Sequence, residues 1–244
     1  MRARLLATAV GALCAIGIFA AGVRVADVAW SLQQDSVAQV SLVARLEGEG
    51  IAALMGVAPG STEHRRHEAF VRDLTRKFGE HPGMTMLHMI PGALILALAP
   101  WQFSSAMRRR HPAVHRWSGR TLLVLAFAAA ASAGFFGLGM PFGGAWEASA
   151  TAIFGAFFLF AGTRGWMAIR AGDVARHREW MTRMFATALG IAVMRALGMA
   201  FVVTTGDVAS LISPAGFGIM MWVGWIVTLA AAELHIRSSP EAVR

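Results

Sequence analysis

The side chains in this sequence that could do chemistry sit at the ends of apolar runs or inside them. His88 lies four residues into one run and three before Pro91, and Arg195 lies twelve residues into another. His115 and His177 stand where two more runs begin, each followed directly by an arginine. Two imidazoles from two helices are a common way for a bundle to hold a haem iron. The plainer role for such residues is to cap a helix start, bond a loop carbonyl or meet lipid phosphate. An arginine near the middle of a bilayer costs ~3 kcal/mol on insertion scales, so Arg195 should face the bundle or a wet cavity. Its partner there would be a carbonyl, water, Ser132 at a similar depth, or an anionic ligand; the structural alternative is snorkelling, or a bond to a kinked backbone near Pro91. At about 1.5 Å of rise per residue, His88 stands roughly 20–25 Å from the His115 and His177 level, so they cannot share one small site.

The elements that must position these groups are membrane helices. The chain is 56% hydrophobic and 15% charged, with mean hydropathy +0.55, and its apolar runs are long enough to span hydrocarbon at about 20 residues each. The net charge of +8 does not point to nucleic acid, because the charges cluster at the ends of the runs. The expected spans are Leu5 to Val23, Met84 to Ser105, Arg120 to Met140, Ala148 to Ala168, Arg183 to Thr205 and Ala215 to Leu234. They divide the chain into a first transmembrane helix or signal anchor over residues 1–23, a polar extracytoplasmic segment over 24–82, a five-helix membrane domain over 83–236 and a tail over 237–244. A cleaved signal peptide is the rival reading of the first run. With six spans, Arg2, Arg4, Arg108, Arg109, Arg110, Arg116, Arg170, Arg176, Arg178 and Arg237 all fall on one side, while Glu147 and Asp207 fall on the other. The positive-inside rule then puts both termini in the cytoplasm. Lys77 is the only lysine against 21 arginines, which with so much alanine and glycine suggests a GC-rich bacterial genome and so a bacterial inner membrane. Trp101, Trp117, Trp146, Trp166 and Trp180 lie near span ends, as interfacial anchors do.

In the polar segment, Gln33 to Gly50 suits an amphipathic helix and Glu63 to Phe78 a polar one, with His64 and His67 on a solvated face. An internal echo links two span entrances. His115-Arg116-Trp117-Ser118-Gly119-Arg120 and His177-Arg178-Glu179-Trp180-Met181-Thr182-Arg183 both read His-Arg, then Trp, then Arg three residues later. This suggests an all-α membrane fold of six transmembrane helices with a four-helix core, spans 2–5, made of two similar hairpins. Chance is the null, since Arg and Trp favour any inner interface. Arg120 and Arg183 join Arg195 as candidate ligand-binding residues. Gly134, Gly137 and Gly139 suit close helix packing. Cys14 stands alone, so no disulfide framework forms within the chain. There is no Walker-type loop, zinc-protease helix or nucleophile elbow.

From His88 to Arg195, the order of the Trp101-Gln102-Phe103 span end, the Arg108-Arg109-Arg110 loop and the two His-Arg-Trp entrances resembles the bacterial predicted-membrane-protein family catalogued as domain of unknown function 2306. The resemblance implies a multi-span membrane protein and no particular activity. The layout is also similar in outline to b-type cytochromes of the b561 kind, but this sequence departs from their four-histidine pattern.

Two functional expectations follow. In one, the chain is a haem-b-binding or quinone-linked electron-transfer protein with His115, His177 and His88 as candidate iron ligands; no other metal site is expected. In the other, it is a non-redox binding or transport protein for an anionic small molecule or lipid, with Arg195 and His88 lining the pocket, or a membrane scaffold subunit. Its expected partners are the lipid bilayer and a quinone or anionic small molecule, not nucleic acid.

Overall fold

Prolines and short polar side chains mark where the helices begin. The computed structural model describes residues 2–33, 49–50, 52–53 and 56–238. Helix α1 covers Arg2–Gln33, α2 Thr62–Gly79, α3 Pro82–Gln102, α4 Ser105–Arg110 and α5 Pro112–Gly139. They are followed by α6 over Gly144–Arg170, α7 over Val174–Thr205, α8 over Val208–Ile212 and α9 over Pro214–Ser238. Proline opens α3 and α5, where its missing N–H would be unpaired in any case. Ser61, Ser104, Asp173 and Asp207 cap α2, α4, α7 and α8 by accepting a backbone N–H from three residues ahead. Gly206 ends α7 with φ 73°, the left-handed stop that glycine allows.

No strand occurs among the described residues, and six helices are long and apolar enough to cross a membrane: α1, α3, α5, α6, α7 and α9. The fold class is therefore the expected one. The helices outrun the expected spans. The basic stretches expected as loops are mostly helical, with Met107 to Gly119 forming the end of α4 and the first turns of α5. The connection from α6 to α7 shrinks to a tight turn about Gly172. Helix α1 continues past Val23 because its next charges find partners. Arg24 pairs with Asp27 at 3.1 Å and donates to Thr75 of α2 at 3.2 Å, with all three side chains buried. The helix expected over Gln33 to Gly50 lies almost wholly outside the described residues.

A core of Ile95, Ala99, Leu122, Ala126, Ala161 and Met184 draws on all of α3, α5, α6 and α7, the four expected core helices. Two further clusters tie in the others. Cys14 of α1 packs with Leu96 and Leu189, and Met221 and Trp225 of α9 pack with Ala150 and Phe154. Small residues let the backbones close in, which is how helices associate where lipid removes the hydrophobic drive. A Cβ on Gly190 would strike the Trp225 indole, and one on Gly137 would strike Thr151. Gly134 and Gly139, also expected as packing glycines, face open space. Trp101, Trp117, Trp146 and Trp166 are exposed near helix ends, as an interfacial belt requires, whereas Trp180 turns in against the core.

Candidate functional site

Polar groups gather at two levels. The first lies in the half of the spans nearer α2. Ser132 of α5 is fully buried, and its hydroxyl donates back to the carbonyls of Ala128 and Ala129, at 3.1 and 2.9 Å. His88 of α3 places Nδ1 3.0 Å from the Ala129 oxygen and 3.4 Å from Ser132 Oγ. The Ala129 carbonyl only accepts, so Nδ1 carries the proton and donates. This fixes the ring and its tautomer, and His88 Nε2 makes no hydrogen bond among the described residues. Arg195 of α7 is exposed on the chain's own surface, close enough for its charge to reach His88. Pro91 sits inside α3 one turn beyond His88 and removes the bond its N–H would make to the Leu87 carbonyl.

The second level is the basic face, where α5 and α7 begin. His177 places Nδ1 2.9 Å from the Gly165 carbonyl oxygen. His115 has a buried Nδ1 with no hydrogen-bond partner among the described residues, and the charges of Arg108, His177 and Arg116 act on it. The two histidines thus stand at the same level, close enough for the charge of one to reach the other. Arg108 donates to the Gln102 and Phe103 carbonyls, at 3.3 and 2.9 Å, and so caps the end of α3. The Gln102 amide donates to Ser118 Oγ at 2.7 Å and ties that end to α5.

The other two candidate arginines go elsewhere. Arg183 forms a two-pronged bond to Glu233 of α9, with Nη2 3.1 Å from Oε2 and Nε on Oε1; it also lies 3.5 Å from Glu179. Arg120 is exposed and lies 5.3 Å from the centre of the Trp117 ring, which is itself 68% exposed. The echo is visible here, since Arg183 lies 4.8 Å from the Trp180 ring. The two Trp-x-x-Arg entrances share a local cation–π geometry, but one turns outward and the other inward.

Among the described residues no group of three or more His, Cys, Asp or Glu side chains could hold a metal ion. His67 departs from the solvated face expected of it: it is 5% exposed, because α2 lays that side against the bundle. Burial first, and then the nearby His64, hold its imidazole below the ordinary histidine pKa. Sequence reading also missed the stripe Phe70, Asp73 and Lys77 of α2, whose i, i+3, i+7 spacing was the available signal.

No curated protein and no solved structure matches the chain. Residues 85–236 match the model of the family described as a predicted membrane protein, DUF2306, and the chain belongs to that family.

Proposed function

We propose that this membrane protein binds, and carries or presents, an anionic small molecule or lipid head group at the level of His88 and Arg195. The observation behind this reading is that an exposed arginine within the spans stands close enough for its charge to reach a histidine whose ring is held by a carbonyl and whose Nε2 makes no hydrogen bond among the described residues. A charge so deep is expensive and marks function by default. In this reading Arg195 supplies the attraction. Neutral His88 accepts a proton at Nε2 and, once protonated, donates to the anion; Ser132 and Ala129 hold the ring still.

The test uses the full chain in nanodiscs of zwitterionic lipid, titrated with inorganic phosphate, succinate and short-chain phosphatidic acid while thermal unfolding is followed. A saturable rise in Tm that Arg195→Gln abolishes and Arg183→Gln leaves in place supports the reading. No rise with any of the three, or an equal rise in Arg195→Gln, overturns it.

A second reading, electron transfer through haem b or a quinone, draws on the basic face. There His115 and His177 would be the iron ligands, and Arg108 and Arg116 would meet the propionates. The His177 bond to Gly165 is the kind that fixes a ligating imidazole. Haem would supply one-electron chemistry. The layer below the pair is filled by Leu122, Ala126, Ala161 and Met184, so a macrocycle would have to lie at the interface. An absorption spectrum of protein made with ample haem decides this: a Soret band that shifts on reduction and is lost in His177→Ala supports it, and a colourless folded preparation ends it.

We also propose that the basic face lies in the cytoplasm, with the protein in the bacterial inner membrane. Reporter fusions at the C-terminus should report the cytoplasm and fusions in the α5–α6 turn the opposite side; the reverse result would overturn this orientation.

A further inference from the structure

Helix α2 shows two faces to the rest of the chain. His67, Thr75 and Gly79 are buried. A second stripe, Arg66, Ala69, Phe70, Asp73 and Lys77, lines a cavity of about 480 Å³ whose far wall is Ile212, Ser213 and Phe217 of the α8–α9 corner, with Phe142 from the α5–α6 turn. That volume falls in the range that holds small ligands, roughly 300–1,000 Å³.

The cavity's chemistry has a definite sign. Phe70, Phe142 and Phe217 form a ring trio with centroids 5.7, 5.9 and 6.0 Å apart, an apolar wall contributed by three separate segments. Aromatic walls suit a cation, but the protein has filled that place itself. The Lys77 ammonium lies 3.6 Å from the Phe142 ring centre and 3.4 Å from Asp73. Asp73 is also held by Arg76 at 2.7 Å, so its charge is spent within α2. Arg66 is exposed at the edge and has no hydrogen bond or ion pair among the described residues. What remains is an apolar wall beside an uncommitted guanidinium and a lysine with donors to spare.

We propose that this cavity binds a small amphiphile carrying one acidic group, with its apolar body against Phe70, Phe142 and Phe217 and its acid on Arg66 and Lys77. A free fatty acid from the bilayer and a free aromatic acid share this chemistry. The site lies at the α2 end of the molecule and is independent of the reading of His88 and Arg195.

The test titrates the full chain in zwitterionic nanodiscs with decanoate and 2-naphthoate, with their methyl esters as uncharged controls, following the Tm and the apparent Kd. Binding by at least one acid, weak or absent for its ester, is expected. Arg66→Gln should weaken it about tenfold, the effect of losing one charge-assisted hydrogen bond. Ala69→Leu, which fills the cavity from an exposed position and leaves Arg66 in place, should block it, while Arg72→Gln should leave it unchanged. Decanoate alone would identify an acyl ligand, naphthoate alone an aromatic acid, and both a site set by charge and volume. No binding by either acid, or equal binding in Arg66→Gln and Ala69→Leu, overturns the proposal.

Discussion

Arg183 on α7 and Glu233 on α9, fifty residues apart in sequence, clasp each other through two hydrogen bonds near the basic ends of their helices. The pair is only part-buried, with Glu233 37% exposed, so solvent screens some of its strength. Removing either partner should destabilise the protein by roughly 1–2 kcal/mol, since a two-pronged charged bond exceeds a simple surface pair. A double-mutant cycle of Arg183→Gln and Glu233→Gln, read by thermal unfolding in detergent, should give a coupling near that size. Purely additive losses would mean that the contact contributes nothing.

The α7–α9 seam should tolerate little added volume. Gly190→Ala sets a methyl against the Trp225 indole, whose Nε1 donates to the Thr187 carbonyl at 2.9 Å. Overpacking of this kind costs about 1–3 kcal/mol. Gly134→Ala, whose new methyl meets open space, should cost little. Comparing the Tm of the two variants checks this, and equal effects would contradict the packing described.

The two echoed entrances should respond differently to the same change. Trp180→Ala removes a ring packed on the core and on Phe160, at 5.4 Å between centroids, and should destabilise by about 3 kcal/mol or more. Trp117→Ala removes a mostly exposed ring and should leave the Tm nearly unchanged in detergent. Unfolding curves for the pair separate shared local geometry from shared role.

Acid should loosen α2. His67 is buried with its pKa held below the ordinary value, so the unfolded chain binds more protons than the folded one as pH falls through about 6.5. Stability from this residue is fully present above that pH and is lost progressively below it. Protection of the α2 amides, measured relative to their intrinsic exchange rates at each pH, should therefore fall between pH 7 and pH 5, and less so in His67→Asn. Unchanged protection across that range would show that His67 does not govern the docking of α2.

The sequence by itself determined the spans and their depths. Span length follows from the thickness of hydrocarbon, and depth follows from helical rise. The similar depths of Ser132 and Arg195, and the shared level of His115 and His177, are therefore legible in the order of the residues alone. The caps at Ser104 and Asp173 are equally local. Tertiary structure alone decided rotation and partner. These spans are apolar on every side, because lipid and neighbouring helix demand the same side chains, and so no stripe marks an inner face. That is why Arg183 reads as a ligand site in the sequence although Glu233 occupies it in the fold. It is why Gly134, Gly137 and Gly139 look alike though only Gly137 meets a neighbour. It is also why the α2 cavity, assembled from Phe70, Phe142 and Phe217 on three distant segments, leaves only the spacing within α2 as a trace in the sequence.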